Sequence, residues 1–153
     1  MNQPQPSSLL VKKKTGTFVC AYLILRQEND VLLLLRKNTG YCDGHYGLVS
    51  GHVEEGESAT AAMIREAREE AGIELCSSQL KVIHVMHRKS GRLNLDIFFE
   101  CRSWQGTIAN QEPEKCAALE FFPLDHLPSN TIPYVAYAIK SESFYSEHGW
   151  NHL

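Results

Sequence analysis

An α/β sandwich is the fold class this sequence predicts, and three observations predict it. Apolar, β-branched or leucine-rich runs of strand length recur along the chain. One segment in the middle, between Ser58 and Gly72, has helical spacing, and a second helical pattern comes near the end. At 153 residues the chain has the size of one domain with a real core. Its hydrophobic content of 43% and charged content of 22% are those of an ordinary globular protein.

Taken in order, the head MNQPQPSSLLVKKK has no apolar stretch after its lysines, so residues 1–15 read as a flexible tail and 16–153 as a single domain. TFVCAYLIL (17–25) and VLLLLRK (31–37) flank the polar RQEND, which predicts strand, turn and strand, partly buried on both faces. NTGYCDGHYG (38–47) is a loop, and LVSGHV (48–53) is a short strand that runs into EEGE. Ser58 as N-cap and Gly72 just past the C-terminus bound a helix of about four turns. KVIHVMHR (81–88), LNLDIFFECRSW (93–104) and ALEFFPL (118–124) read as strands. Val135, Ala138, Ile139 and Phe144 recur at helical spacing, which predicts a closing helix over PYVAYAIKSESFY (133–145).

The net charge of −3 and a pI near 6.1 give no reason to expect a DNA duplex or an anionic membrane as partner. A small, highly charged anion could bind with local help from a metal or a few basic residues. The five cysteines, Cys20, Cys42, Cys76, Cys101 and Cys116, are odd in number and never form CxxC. That speaks against a disulfide framework and a zinc site, and it suits a reducing, cytoplasmic setting. No apolar run approaches the roughly 20 residues of a membrane span.

The stretch REAREEAG, Arg65 to Gly72, is the informative one. At about 100° per residue, Glu66, Glu69 and Glu70 fall within an arc of roughly 100°, and Ile64, Ala67 and Ala71 form a separate apolar stripe. Two carboxylates ~6 Å apart repel by roughly 3 kcal/mol at an effective dielectric of 20, but only by a few tenths on an exposed helix. Repulsion alone does not require a metal, and taken alone the helix is explained better by a solvated acidic face than by a cation that needs several carboxylates.

Its context is more specific. Gly51, five residues, Glu57, seven residues, and then Arg65-Glu66-Ala67-Arg68-Glu69-Glu70-Ala71-Gly72-Ile73 resembles the Nudix box, G-x5-E-x7-R-E-U-x-E-E-x-G-U with U apolar, at every fixed position. Two strands before the box, a strand pair after it and a final helix extend the resemblance over roughly residues 16–147. It implies an α/β/α sandwich with a mixed sheet, and a loop–helix–loop that binds divalent cations and hydrolyses a nucleoside diphosphate linked to another moiety. It also implies Mg²⁺, or Mn²⁺, held by Glu66, Glu69 and Glu70, with Arg65 orienting Glu69 or its neighbours and Glu57 supporting the site from behind. Where members of the family often have a first glycine whose carbonyl binds a metal, this chain has Ser50; any residue offers a carbonyl, provided serine tolerates the local dihedrals. The general base differs among members. Glu66 is one candidate, and Glu112 and Glu114 in QEPEKC (111–116) are others, though two solvated loop acids explain that stretch equally well.

Marks of substrate outside the box are mostly absences. No proline or tyrosine stands within the 15 to 18 residues after the box, where the resemblance would place them for ADP-ribose or diadenosine polyphosphate enzymes. The arrays of NADH pyrophosphatases and coenzyme A hydrolases are missing as well. EPEK and the ending WNHL resemble nucleoside-triphosphate diphosphatases near the oxidised-nucleotide sanitising branch. His52, next to Gly51, and Tyr46 are candidate contacts to the nucleotide, as are Tyr41 and Trp104 by stacking. The function expected is a metal-dependent hydrolase of a small nucleotide such as a (d)NTP, giving a nucleoside monophosphate and pyrophosphate. A homodimer is left open. A Nudix-fold module that binds a nucleotide or RNA without hydrolysis is the alternative.

Overall fold

The computed structural model describes residues 16–151. The tail expected over 1–15 and the last two residues of the WNHL ending lie outside the described residues. Two predicted strands form as read: β1 (Thr17–Gln27) and β2 (Asp30–Arg36) are antiparallel neighbours joined by a tight turn. β1 is buried on both faces by strict alternation. Ala21, Leu23 and Leu25 face one core, and Cys20, Tyr22 and Ile24 face the other. Such a strand lies at the centre of a sheet covered on both sides.

The sheet spreads from β1 in two wings. On one side β6 (Leu93–Cys101) runs parallel to β1, and β5 (Lys81–Lys89) pairs antiparallel with β6. On the other, β2 carries β3 (Tyr46–Gly47) and β7 (Cys116–Pro123). β4 (Val49–His52) pairs with β1 in the register Ala21↔Gly51 and Tyr22↔Ser50. Helix α1 (Ala59–Ala71) covers one face with Ala62, Met63, Ala67 and Ala71. Helix α2 (Pro133–Lys140) covers the other with Val135, Ala138 and Ile139. The result is an α/β/α sandwich on a mixed sheet. Among the described residues no helix is long and apolar enough to cross a membrane.

Both ends of α1 are set by the residues read from sequence. Ser58 Oγ accepts from the Ala61 N–H at 3.1 Å. Gly72 takes φ 67°, and its N–H and that of Ile73 reach back to the carbonyls of Arg68 and Ala67. Ser58→Ala is expected to cost about 1 kcal/mol and to lower Tm by about 2–4 °C, measured by thermal unfolding.

Two boundaries differ from expectation. β6 stops at Cys101 rather than Trp104, because the following segment leaves the sheet to serve α1. There the Ala109 and Gln111 N–H groups donate to the carbonyls of Ala71 and Glu70 at 3.0 and 3.2 Å, satisfying the last turn of the helix. The closing helix ends at Lys140 instead of Tyr145, and Tyr145–His148 form an eighth strand, β8, parallel to β5. Ser141 and Ser143 stop the helix: Ser141 Oγ accepts from the Ser143 N–H at 3.2 Å, a local bond that competes with helical ones. Fully buried His84 then holds the new strand, donating from Nδ1 to the Ser143 carbonyl at 2.7 Å and meeting Ser146 Oγ through Nε2 at 2.7 Å. Phe144, counted on the helical stripe, is instead 60% exposed.

Candidate active site

The acidic face of α1 lies against the end of β4. Gly51 faces Glu66 so closely that a Cβ there would lie inside the Glu66 carboxyl group and 2.7 Å from its Cγ. Glycine is needed here for close approach, since its φ is not in the left-handed region. One turn along the helix, Glu70 Oε2 accepts from the Ser50 N–H at 3.3 Å. Ser50 itself is an ordinary strand residue opposite Tyr22, without positive φ, so serine costs the loop no strain. Glu66 and Glu70 are thus laid on consecutive residues of one strand.

Arg65 ties this pair to the loop. Its Nε and Nη2 reach Glu57 Oε2 and Oε1 at 3.1 and 2.7 Å, and Nη2 also donates to the His52 carbonyl at 3.1 Å. Nη1 donates to Glu66 Oε1 at 2.7 Å and to Glu69 Oε2 at 3.3 Å. These contacts use all of the N–H groups a guanidinium has. Arg65 therefore does contact Glu69, but its shorter bonds go to Glu57 and Glu66. Glu57 acts on the cleft through Arg65, whose hydrogen bonds, with that of the Glu54 N–H, hold the Glu57 carboxyl below its ordinary range. A lysine cannot reproduce this fork. Arg65→Lys is expected to cost about 1–2 kcal/mol of stability and, by freeing Glu66, to lower any turnover by about tenfold; denaturant unfolding and steady-state kinetics check the two halves.

Desolvation, the Glu66 charge and the Glu112 charge push the Glu70 carboxyl well above the usual carboxylate range, against the pull of the Ser50 N–H. Desolvation also raises Glu66, with Arg65 opposing it. Arg65 compensates Glu66 directly and does not reach Glu70, so a proton taken up by the pair belongs on Glu70. A divalent cation would supply the same compensation, and the all-oxygen donor set suits a hard ion such as Mg²⁺. Among the described residues no three acidic, histidine or cysteine side chains converge tightly enough to enclose a metal by themselves.

The acids border a cleft of about 770 Å³, within the size range of small-molecule sites. Ser50, His52, Glu66, Glu69, Glu70 and Glu112 all line it. Glu112 is brought there by the loop that caps α1, its own N–H held by Asn110 Oδ1 at 3.1 Å. Glu114 is exposed and does not line the cleft. Tyr46 does not reach the cleft either. Its ring packs edge-on against Phe122 at 5.0 Å, and its hydroxyl points to Glu120, 3.4 Å away, because β3 directs it towards β7. Trp104 stacks beside Phe121 in the α1-side core, whereas Tyr41 does border the cleft.

Sequence reasoning missed the wall opposite the acids. Arg88 Nε donates to Asp96 Oδ2 at 2.6 Å, and its guanidinium lies over the Tyr134 ring at 4.0 Å. The Tyr22 and Tyr134 hydroxyls are 3.1 Å apart. A signal existed: Arg88 follows His84 and Met86 on the inward phase of β5, and Asp96 lies between Asn94 and Phe98 on the inward phase of β6. Charges on the buried phase of two adjacent strands call for each other.

The comparisons with known proteins agree with this fold. Residues 15–140 match the family model described as NUDIX domain. The chain belongs to the Nudix family. A relative from Methanocaldococcus jannaschii, named ADP-ribose pyrophosphatase, is 34% identical over 106 residues, which cover 69% of this chain and 61% of that one. Another from Caenorhabditis elegans, named as a Nudix hydrolase, is 27% identical over 75% of this chain and 31% of its own length. The chain thus spans less than two thirds of either of these curated relatives. The crystal structure of a MutT Nudix hydrolase from Burkholderia pseudomallei superposes with a TM-score of 0.75 at 25% identity, covering 82% of this chain and 97% of that one.

Proposed function

We propose that this Nudix protein hydrolyses the phosphoanhydride of a small nucleotide with the help of a divalent cation, Mg²⁺ or Mn²⁺, and that a nucleoside or deoxynucleoside triphosphate is the substrate, released as monophosphate and pyrophosphate. The observation that carries the reading is the placing of Glu66 and Glu70 on Gly51 and Ser50, two acids packed side by side of which Arg65 compensates only Glu66.

Glu66 and Glu70, with Glu69 at the more exposed edge and the Ser50 carbonyl, would hold the ion. Bound there, it would offset phosphate charge and acidify a water. Arg65 keeps Glu66 and Glu69 facing the cleft. In the reaction water adds to one phosphorus, the bridging P–O bond breaks and its electron pair leaves with the departing phosphate. The water's proton needs a carboxylate acceptor, and Glu66 and Glu112 are the base candidates from the sequence that line the cleft.

A panel of ribo- and deoxyribonucleoside triphosphates, with ADP-ribose included because of the archaeal relative's name, tests this in ¹⁸O-water with Mg²⁺. Release of monophosphate and pyrophosphate from one triphosphate, with label in a single product, is the expected outcome. Binding across the panel with no hydrolysis would instead make the protein a recognition module.

A further inference from the structure

We propose that Arg92 binds the terminal phosphate of the substrate, so that the protein distinguishes a nucleoside triphosphate from the matching diphosphate; this rests on the reading above. The chain has seven arginines, all among the described residues. Five have a carboxylate partner: Arg26 and Arg102 with Glu100, Arg65 with its acids, Arg68 with Glu74, and Arg88 with Asp96. Among the described residues Arg36 and Arg92 have none, and both line the cleft.

They differ in what they hold. Arg36 donates from Nε to the Tyr41 carbonyl at 2.7 Å and from Nη2 to Thr39 Oγ1 at 3.1 Å, and its guanidinium faces the Tyr41 ring. It braces the loop between β2 and β3. Arg92, exposed in the turn between β5 and β6, donates from Nε to Asn94 Oδ1 at 3.0 Å and from Nη2 to His52 Nε2 at 2.7 Å. Its guanidinium lies over the Phe18 ring at 4.2 Å. Nη1 has no hydrogen-bond partner among the described residues. A guanidinium only donates, so His52 Nε2 accepts and its ring proton is on Nδ1.

Position completes the argument. His52 directly follows Gly51, whose backbone touches Glu66. Arg92 thus presents a supported charge, outside any salt bridge among the described residues and with free donors on Nη1, to the cleft that the acids line. An aromatic ring below and two neutral acceptors fix the fork, and its unused edge matches the geometry of a phosphate.

The test is calorimetric titration, with Mg²⁺ present, of the wild-type chain, Arg92→Ala and Arg92→Lys. The ligands are the α,β-methylene analogue of a nucleoside triphosphate and the matching diphosphate. The wild-type chain should prefer the triphosphate analogue. Arg92→Ala should reduce that preference by about tenfold, one charge-assisted hydrogen bond, with diphosphate affinity retained as proof that the cleft is intact. Arg92→Lys should keep part of it. A preference unchanged in Arg92→Ala, no preference in the wild type, or equal losses for both ligands would each overturn the assignment. Turnover of the parent triphosphate by the wild type is scored separately. Preference lost in Arg92→Ala without any turnover would uphold the contact and end the hydrolase reading.

Discussion

Glu70→Gln should lower turnover by about 10²-fold or more, and Glu66→Gln should do the same. The substitution retains side-chain size, so the Ser50 N–H still finds an oxygen, but one negative charge leaves a place where desolvation and two neighbouring carboxylates already make charge costly. In the apo protein that loss is therefore expected to be neutral or mildly stabilising, while the affinity for added Mg²⁺ falls. Steady-state kinetics on the triphosphate selected by the panel, with Mg²⁺ titration of both variants, measure this. Near-wild-type rates in both would remove the carboxylate pair from catalysis, and unchanged Mg²⁺ affinity in Glu70→Gln would remove Glu70 from the metal site.

Gly51→Ala is expected to have an effect of similar size by a different route. A single methyl group would occupy the position of the Glu66 carboxyl. The strand is fixed by its pairing with β1, so the mobile partner is the glutamate, which must swing away and leave Arg65 Nη1 without its shortest acid. Turnover should fall by about 10²-fold or more, since a misplaced reacting group of about 1 Å already costs that much. Gly51 lies in extended backbone, where alanine is not strained, so Tm should stay within a few degrees of wild type. Lost activity at unchanged Tm supports the steric argument. A fall of Tm beyond about 10 °C would mean that β4 had given way instead.

What could be read from the sequence follows how local each determinant is. The caps of α1 were legible because Ser58 and Gly72 act through bonds to residues within six positions. The box was legible because its acids share one helix and one adjoining loop. β8 was not, because Val135, Ala138 and Ile139 do form a helical stripe and nothing in that stripe reports the hold of His84, about sixty positions earlier, on Ser143 and Ser146. Tyr46 shows a related limit, since a two-residue strand turns its ring towards Phe122. The far wall needs β1, β5, β6 and α2 side by side before Tyr22, Arg88, Asp96 and Tyr134 can meet.

The saturated guanidinium of Arg65 has a further meaning for recognition. Helix, loop and strand each surrender an acceptor to one planar group, so none can shift alone without stranding a charge. The acids are consequently in place before any ligand arrives, and little ordering entropy is left for binding to overcome. Glu69, half-exposed and held by the longest of these bonds, is the member with freedom to adjust, and adaptation to ligands of different size should begin there.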